Sequence, residues 1–191
     1  VFDKIVPGYY HRYNPVSGAM ERSTCCENTA TEHRMFEKFM QDSMVILARD
    51  FGFNDFRYDV MGHHPKDSIL ATRDIVRSVA PDVYFYGEGW NFGEVANNRL
   101  FVQAKQQDMA GSGVGTFNDR LRDEVRDAVL FSNEATEENL RKQDLIRIGL
   151  AGTLKDYVLQ SYQGIAGPAS SYTWKGQAAG YAEKPADIIN Y

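Results

Sequence analysis

Cysteine is nearly absent from this chain. Its 191 residues hold two, Cys25 and Cys26, side by side in STCCEN. No CxxC pair exists, which excludes a thiolate metal site of the usual spacing. The adjacent pair leaves two readings open: two reduced thiols, or a vicinal disulfide in an oxidising compartment. Long apolar runs are missing too. No stretch reaches the about 18 apolar residues of a membrane-spanning helix, so none is expected. The opening VFDKIVPGYY has neither a basic n-region nor an apolar h-region, so it is not read as a signal peptide. It also lacks an initiator methionine, which leaves the location of the parent protein open. Excess positive charge is absent: 21 Lys and Arg stand against 26 Asp and Glu, a formal net charge of −5. A nucleic-acid binder would normally show a basic face, and no nucleic-acid partner is expected. There is no internal repeat and no low-complexity tract.

What remains is ordinary for a soluble globular protein, with 43% hydrophobic and 25% charged residues. Aromatic residues make up 13%. Sugar-binding surfaces and well-packed cores both use aromatics, so that figure decides little.

The hydrophobic period organises the chain. Residues 1–30 carry turn residues and no sustained period, and read as loop. Residues 32–50 are helical by pattern, with Met35, Phe36, Phe39, Met40, Met44, Ile46 and Leu47 near three and four spacing and Gly52 as the stop. A strand follows over 53–59. A second helix is predicted over 67–79, capped by Asp67 or Ser68, with Ile69, Leu70, Ile75, Val76 and Val79 buried and Pro81 closing it. DVYFYGEGW (82–90) reads as a second strand. A helix is expected within 94–107, a short Gly-rich strand over 113–119, and helices over 119–131 and 136–154. Residues 160–185 read as loop, and ADIINY as the start of another strand. This alternation implies an α/β fold with parallel strands and crossover helices.

In such folds the site lies at the C-terminal ends of the strands. The first strand ends in FRYDVMGHH, an unusual cluster of ionisable groups. The second ends at Glu88, between Gly87 and Gly89. Adjacent parallel strands would bring Asp59 and Glu88 to about 5–6 Å, close to the about 5–5.5 Å of a retaining glycosidase. Arg57, two residues before Asp59, shares its face and would hold that carboxylate ionised. Glu88 has no cation nearby in sequence. Tyr84, Tyr86 and Trp90 would surround it with aromatic surface and raise its pKa by desolvation. Asp59 thus suits a nucleophile and Glu88 an acid/base. The bland alternative is an ion pair at a strand end and an unrelated glutamate. His63 and His64 are adjacent on a loop with no third ligand cluster, so no metal site is expected.

FRYDVMGHHPK resembles the fourth-strand motif of the α-amylase family of glycoside hydrolases, and YGEGW its fifth-strand acid/base motif. VFDKIVPGYYHR, STCCENTATEH and GVGTFNDRLRDEVRDAV are similar to segments of type I pullulanases, which cleave α-1,6 branch links. The resemblance implies a partial TIM (β/α)8 barrel, roughly strands four to six with flanking helices and the start of strand seven. Residues 1–191 would then be one incomplete catalytic domain, since a full barrel takes about 250 residues. It implies Asp59 as nucleophile, Glu88 as acid/base, Arg57 orienting Asp59, and His63 and Trp90 contacting substrate. Trp90 in the core and His63 bonded only within its loop are the alternatives. The family's third carboxylate, which follows strand seven, and its earlier Asp–Asn–His motif are not in this chain, so the chain alone is expected to be inactive. The implied substrates are pullulan, amylopectin and limit dextrins. No cofactor is required, structural calcium in the parent cannot be located from here, and the implied location is extracellular or on a bacterial cell surface.

Overall fold

The computed structural model describes residues 2–126 and 136–151, together with the short strand pieces 158–159, 167–168 and 188–190. The chain forms two compact units, Val1–Asp108 and Met109–Tyr191.

The first unit begins with an irregular segment tied down by isolated bridges, His11 to Thr29 and Tyr13 to Met20. Helix α1 (Arg34–Phe51) follows. It ends where Gly52 takes the left-handed conformation, φ 71°, which only glycine adopts cheaply. The Gly52 N–H then reaches the Ala48 carbonyl and the Phe53 N–H reaches Leu47, capping the last turn. Strand β1 (Asp55–Tyr58), helix α2 (Lys66–Val79) and strand β2 (Tyr84–Gly87) complete a βαβ unit. β1 and β2 are parallel, with Arg57 opposite Tyr86 and Tyr58 opposite Gly87.

The strand period of two sorts this pair into faces. Phe56, Tyr58 and Phe85 are buried. Their rings stack, Phe56 on Phe85 at 5.5 Å and Tyr58 on Phe85 at 6.3 Å. Phe36 and Ala48 of α1, with Ile69, Thr72 and Val76 of α2, are buried as well. The helical stripe is narrower than the sequence pattern suggests: Phe39, Ile46, Ile75 and Val79 are exposed. The other face of the strand pair carries Asp55, Arg57, Tyr84 and Tyr86, and the two tyrosine rings stack at 5.9 Å.

The second unit pairs β3 (Gly115–Asn118) with β6 (Ile188–Asn190), again in parallel. Asn118 caps helix α3 (Asp119–Glu124) by accepting from the Leu121 N–H, and Thr136 caps α4 (Glu137–Leu150) by accepting from the Asn139 N–H. Between these and β6, the pieces β4 (Val158–Leu159) and β5 (Gly167–Pro168) pair antiparallel.

Two further expectations need correction. α2 starts at Lys66, with Pro65 in the cap position and no side-chain cap, rather than at Asp67 or Ser68. No helix fills 94–107. Only 3-10 turns span Gly93–Asn98, broken where Ala96 and Asn97 leave helical geometry. The asparagines explain it, because their side chains compete with the helix for backbone donors. Asn91 Oδ1 accepts from the Asn97 N–H at 2.7 Å, and Asn98 Oδ1 from the Gln103 N–H at 2.9 Å. The end of the helix expected over 119–131, the end of that over 136–154, and nearly all of the 160–185 loop lie outside the described residues.

Candidate active site

Asp59 is the first residue after β1, and Glu88 the first after β2. The register therefore sets them side by side at the C-terminal ends of neighbouring parallel strands. Arg57 joins them. Its Nη1 donates to Asp59 Oδ1 at 2.6 Å and its Nη2 to Glu88 Oε1 at 3.0 Å. One planar guanidinium fork thus spans both carboxylates. Glu88, which has no cation near it in sequence, gains one across the strand pair. Its other oxygen accepts from the Val60 N–H at 3.0 Å. Val60 achieves this at φ 43°, ψ 47°, a left-handed conformation that a β-branched residue rarely takes. Strain of this kind collects where the surroundings hold a functional geometry.

The two carboxylates differ in access. The Asp59 side chain is 75% exposed and that of Glu88 is 16% exposed. Asp59 opens onto a cleft of about 200 Å³ lined also by Thr24, the two cysteines, Asn28 and His63. Cys25 and Cys26 are bonded to each other.

His63 sits in the short 3-10 turn Met61–His63 after β1 and is almost fully buried. Its ring stacks on Phe92 at 4.7 Å. Burial lowers its pKa; the Glu94 carboxylate opposes that and the Arg12 charge adds to it. His64 hydrogen-bonds the Thr31 hydroxyl at 2.8 Å. Burial, then the charges of Arg12 and His63, push it down to about 3, although some of its surface still reaches solvent. Both rings are therefore neutral at pH 7. Trp90 is half-buried, with its ring 5.7 Å from that of Phe92. Among the described residues, no group of three or more His, Cys, Asp or Glu side chains could hold a metal ion. Nor is any helix among them long and apolar enough to cross a membrane.

A second charged network escaped the sequence reading. The Arg12 guanidinium is buried and donates to both Glu32 oxygens at 2.8 Å, to Glu94 Oε1 at 2.7 Å and to the His63 carbonyl at 2.9 Å. Glu94 also accepts from the Ser23 hydroxyl at 2.5 Å and the Asn28 amide at 2.8 Å. Burial raises the pKa of Glu94, but these donors outweigh it and hold the carboxylate at about 2. Arg12, Ser23 and Asn28 lie in a segment without period, so no sequence signal marks them.

The chain is 38% identical over its whole length to a pullulanase of Klebsiella pneumoniae. It is 34% identical, again over its whole length, to a chloroplastic pullulanase of Arabidopsis thaliana. The chain is homologous to pullulanases. A crystal structure of the Klebsiella pneumoniae pullulanase complexed with maltotriose matches all of the chain at 36% identity, with a TM-score of 0.84 and 20% of that structure covered. No family model matches. The chain spans about a fifth of the length of the pullulanases it matches, 19% of the first and 23% of the second. Arg57, Asp59, His63, Glu88 and Trp90 all fall within the stretch aligned to pullulanases.

Proposed function

We propose that this chain carries the nucleophile and the acid/base of a glycoside hydrolase acting on α-1,6 branch links in pullulan, amylopectin and limit dextrins. The carrying observation is the Asp59–Arg57–Glu88 bridge at the ends of two neighbouring parallel strands. Asp59 attacks the anomeric carbon. As the glycosidic C–O bond breaks, Glu88 gives its proton to the leaving oxygen, and a glycosyl ester forms on Asp59. Glu88 then takes a proton from water, whose oxygen attacks the same carbon and frees Asp59. Two inversions give net retention. Arg57 aims the Asp59 carboxylate through its 2.6 Å bond. His63 at the cleft wall and Trp90 beside Glu88 would contact sugar, and the Trp90 ring offers a stacking face.

The alternating helices and parallel strands support a (β/α)8 catalytic domain, of which this chain is an incomplete part. The third carboxylate comes from outside it. The chemistry needs no cofactor. The Cys25–Cys26 bridge favours an extracellular or cell-surface location.

The test is sugar release from pullulan and from a linear α-1,4-glucan by the full-length protein, with the anomer followed by NMR. Release from pullulan with α-product first supports the reading. Release from the linear glucan alone would indicate an α-1,4-acting relative, β-product would exclude the double displacement, and binding without release would indicate a non-catalytic glucan binder. Trp90→Ala should weaken pullulan binding about tenfold, the value of a lost stacking contact, with little change in melting temperature. Unchanged binding with a lowered melting temperature would make Trp90 a core residue.

A further inference from the structure

The loop that carries the disulfide is held at both ends by one side chain. Ser23 stands two residues before Cys25, and Asn28 two residues after Cys26. Both donate to Glu94, Ser23 to Oε2 at 2.5 Å and Asn28 to Oε1 at 2.8 Å. They also bond each other, the Asn28 amide donating to the Ser23 hydroxyl at 2.9 Å. Between these anchors the loop forms one wall of the cleft whose other wall holds Asp59, Val60 and His63. Glu94 lies six residues after Glu88, in the turns that follow β2. It thus ties the loop to the same strand end that presents the acid/base candidate.

The contact is close. A Cβ at Gly93 would fall 1.9 Å from Ser23 Cβ and 2.2 Å from its hydroxyl, so only glycine lets the loop seat there. Arg12 completes the hub. It neutralises Glu94 and also holds the His63 carbonyl, while the His63 ring lies 3.5 Å from the Ser23 hydroxyl and 3.7 Å from Glu94. Glu94 remains a carboxylate throughout the neutral and mildly acidic range. Its two anchoring bonds are charge-assisted, which makes them stronger than neutral ones. The Cys25 and Cys26 positions themselves are exposed.

We propose that Glu94 is a positioning residue: through Ser23 and Asn28 it sets the disulfide loop at the distance from Asp59 and His63 that admits an α-glucan chain. This rests on the glycosidase reading for the identity of the ligand. The geometry of the clamp does not depend on it.

The experiment uses the full-length protein and three variants, Glu94→Gln, Ser23→Ala and Asn28→Ala. Ser23→Ala leaves the Arg12–Glu94 pair intact, so it keeps the test alive if Glu94→Gln fails to fold. Hydrogen exchange of the peptide covering 21–30 is measured first. Exchange at 24–27 should rise several-fold in every folded variant, and unchanged protection overturns the clamp. Maltotriose affinity is measured next by calorimetry. The dissociation constant should rise about three- to tenfold, the value of one lost hydrogen bond. The loss in kcat/KM for pullulan should appear mainly as a raised KM, because no reacting group is touched. A fall in turnover with affinity unchanged would overturn the positioning role. If the wild-type protein binds maltotriose but hydrolyses nothing, the glycosidase reading fails, while exchange and affinity still decide the role of Glu94.

Discussion

Two arginines in the first unit do the same thing in different surroundings. Arg57 bridges Asp59 and Glu88, and Arg12 bridges Glu32 and Glu94. The plan is shared, one guanidinium between two carboxylates, although Arg12 also grips both Glu32 oxygens and the His63 carbonyl. The exposure to solvent differs. The Arg57 side chain is 42% exposed and its Asp59 partner 75%, whereas the Arg12 side chain is 5% exposed and its Glu94 partner 11%. An exposed bridge gains little from its Coulomb attraction, because water screens it and satisfies either ion alone. A buried bridge has no such substitute, and breaking it strands a charge. The Arg12 bridge is therefore a fastener. The Arg57 bridge costs the fold little to break, and is open on the side from which a substrate would arrive.

The largest effect should come from the open bridge, on turnover alone. Asp59→Asn and Glu88→Gln in the full-length protein should each lower pullulan hydrolysis by about 10²–10⁴-fold or more, since each removes an obligatory step. Melting temperature should barely move. A variant that kept more than about a tenth of the rate would lose its assigned role.

Next in size is the closed bridge, on stability. Arg12→Met removes the cation from between two carboxylates and should cost about 3–5 kcal/mol in urea unfolding. It should also loosen the His63 turn, whose carbonyl Arg12 holds. A loss below about 1 kcal/mol would mean that burial does not separate the two bridges.

The Arg57–Asp59 arm of the open bridge was legible in the sequence; its Arg57–Glu88 arm and the closed bridge were not, for a physical reason. Arg57 and Asp59 sit on one strand, where the period of two fixes the face each shares. Glu88 follows from the next strand end, once the strands are taken as parallel. Helix α1 and the βαβ order were readable in the same way. Arg12, Ser23 and Asn28 lie in irregular backbone, and their partner Glu94 is 82 positions from Arg12. Only the fold brings them together. The helix expected within 94–107 failed because Asn91 and Asn98 offer backbone donors a local alternative to helical bonding.

A third effect separates the buried region by pH. His64 has a pKa of about 3 in the fold against an ordinary 6.5, and His63 is lowered too. Protons then bind the unfolded chain more readily. The stability of the neutral rings is fully present above about pH 6.5 and drains away as pH falls toward 3. Glu94, lowered from 4.5 to about 2, loses its contribution only below its unfolded value. The interval between pH 6.5 and 4.5 thus belongs to the histidines. Urea midpoints should fall there, by at most about 1.4 kcal/mol per pH unit for each proton taken up. His64→Gln, which can still bond Thr31, should flatten the slope. An unchanged slope would show that His64 takes up its proton in the folded state.

The smallest expected effect is the sharpest test of the comparison. Arg57→Met breaks a bridge that, like that of Arg12, joins two carboxylates, here with one bond to each. Asp59, left behind, is already solvated. Glu88 keeps the Val60 N–H as a donor. Glu88, whose side chain is 16% exposed, loses one of its two described donors, so the cost should be about 1–2 kcal/mol, still below that of Arg12→Met. Turnover should nevertheless fall, because the fork that holds Asp59 in line is gone. Lysine at the same position should restore charge but little activity, since an ammonium cannot span two carboxylates as a planar fork does. A stability loss matching that of Arg12→Met would make Arg57 a structural fastener as well. The exposure of Asp59 would then no longer mark the open bridge as the functional one.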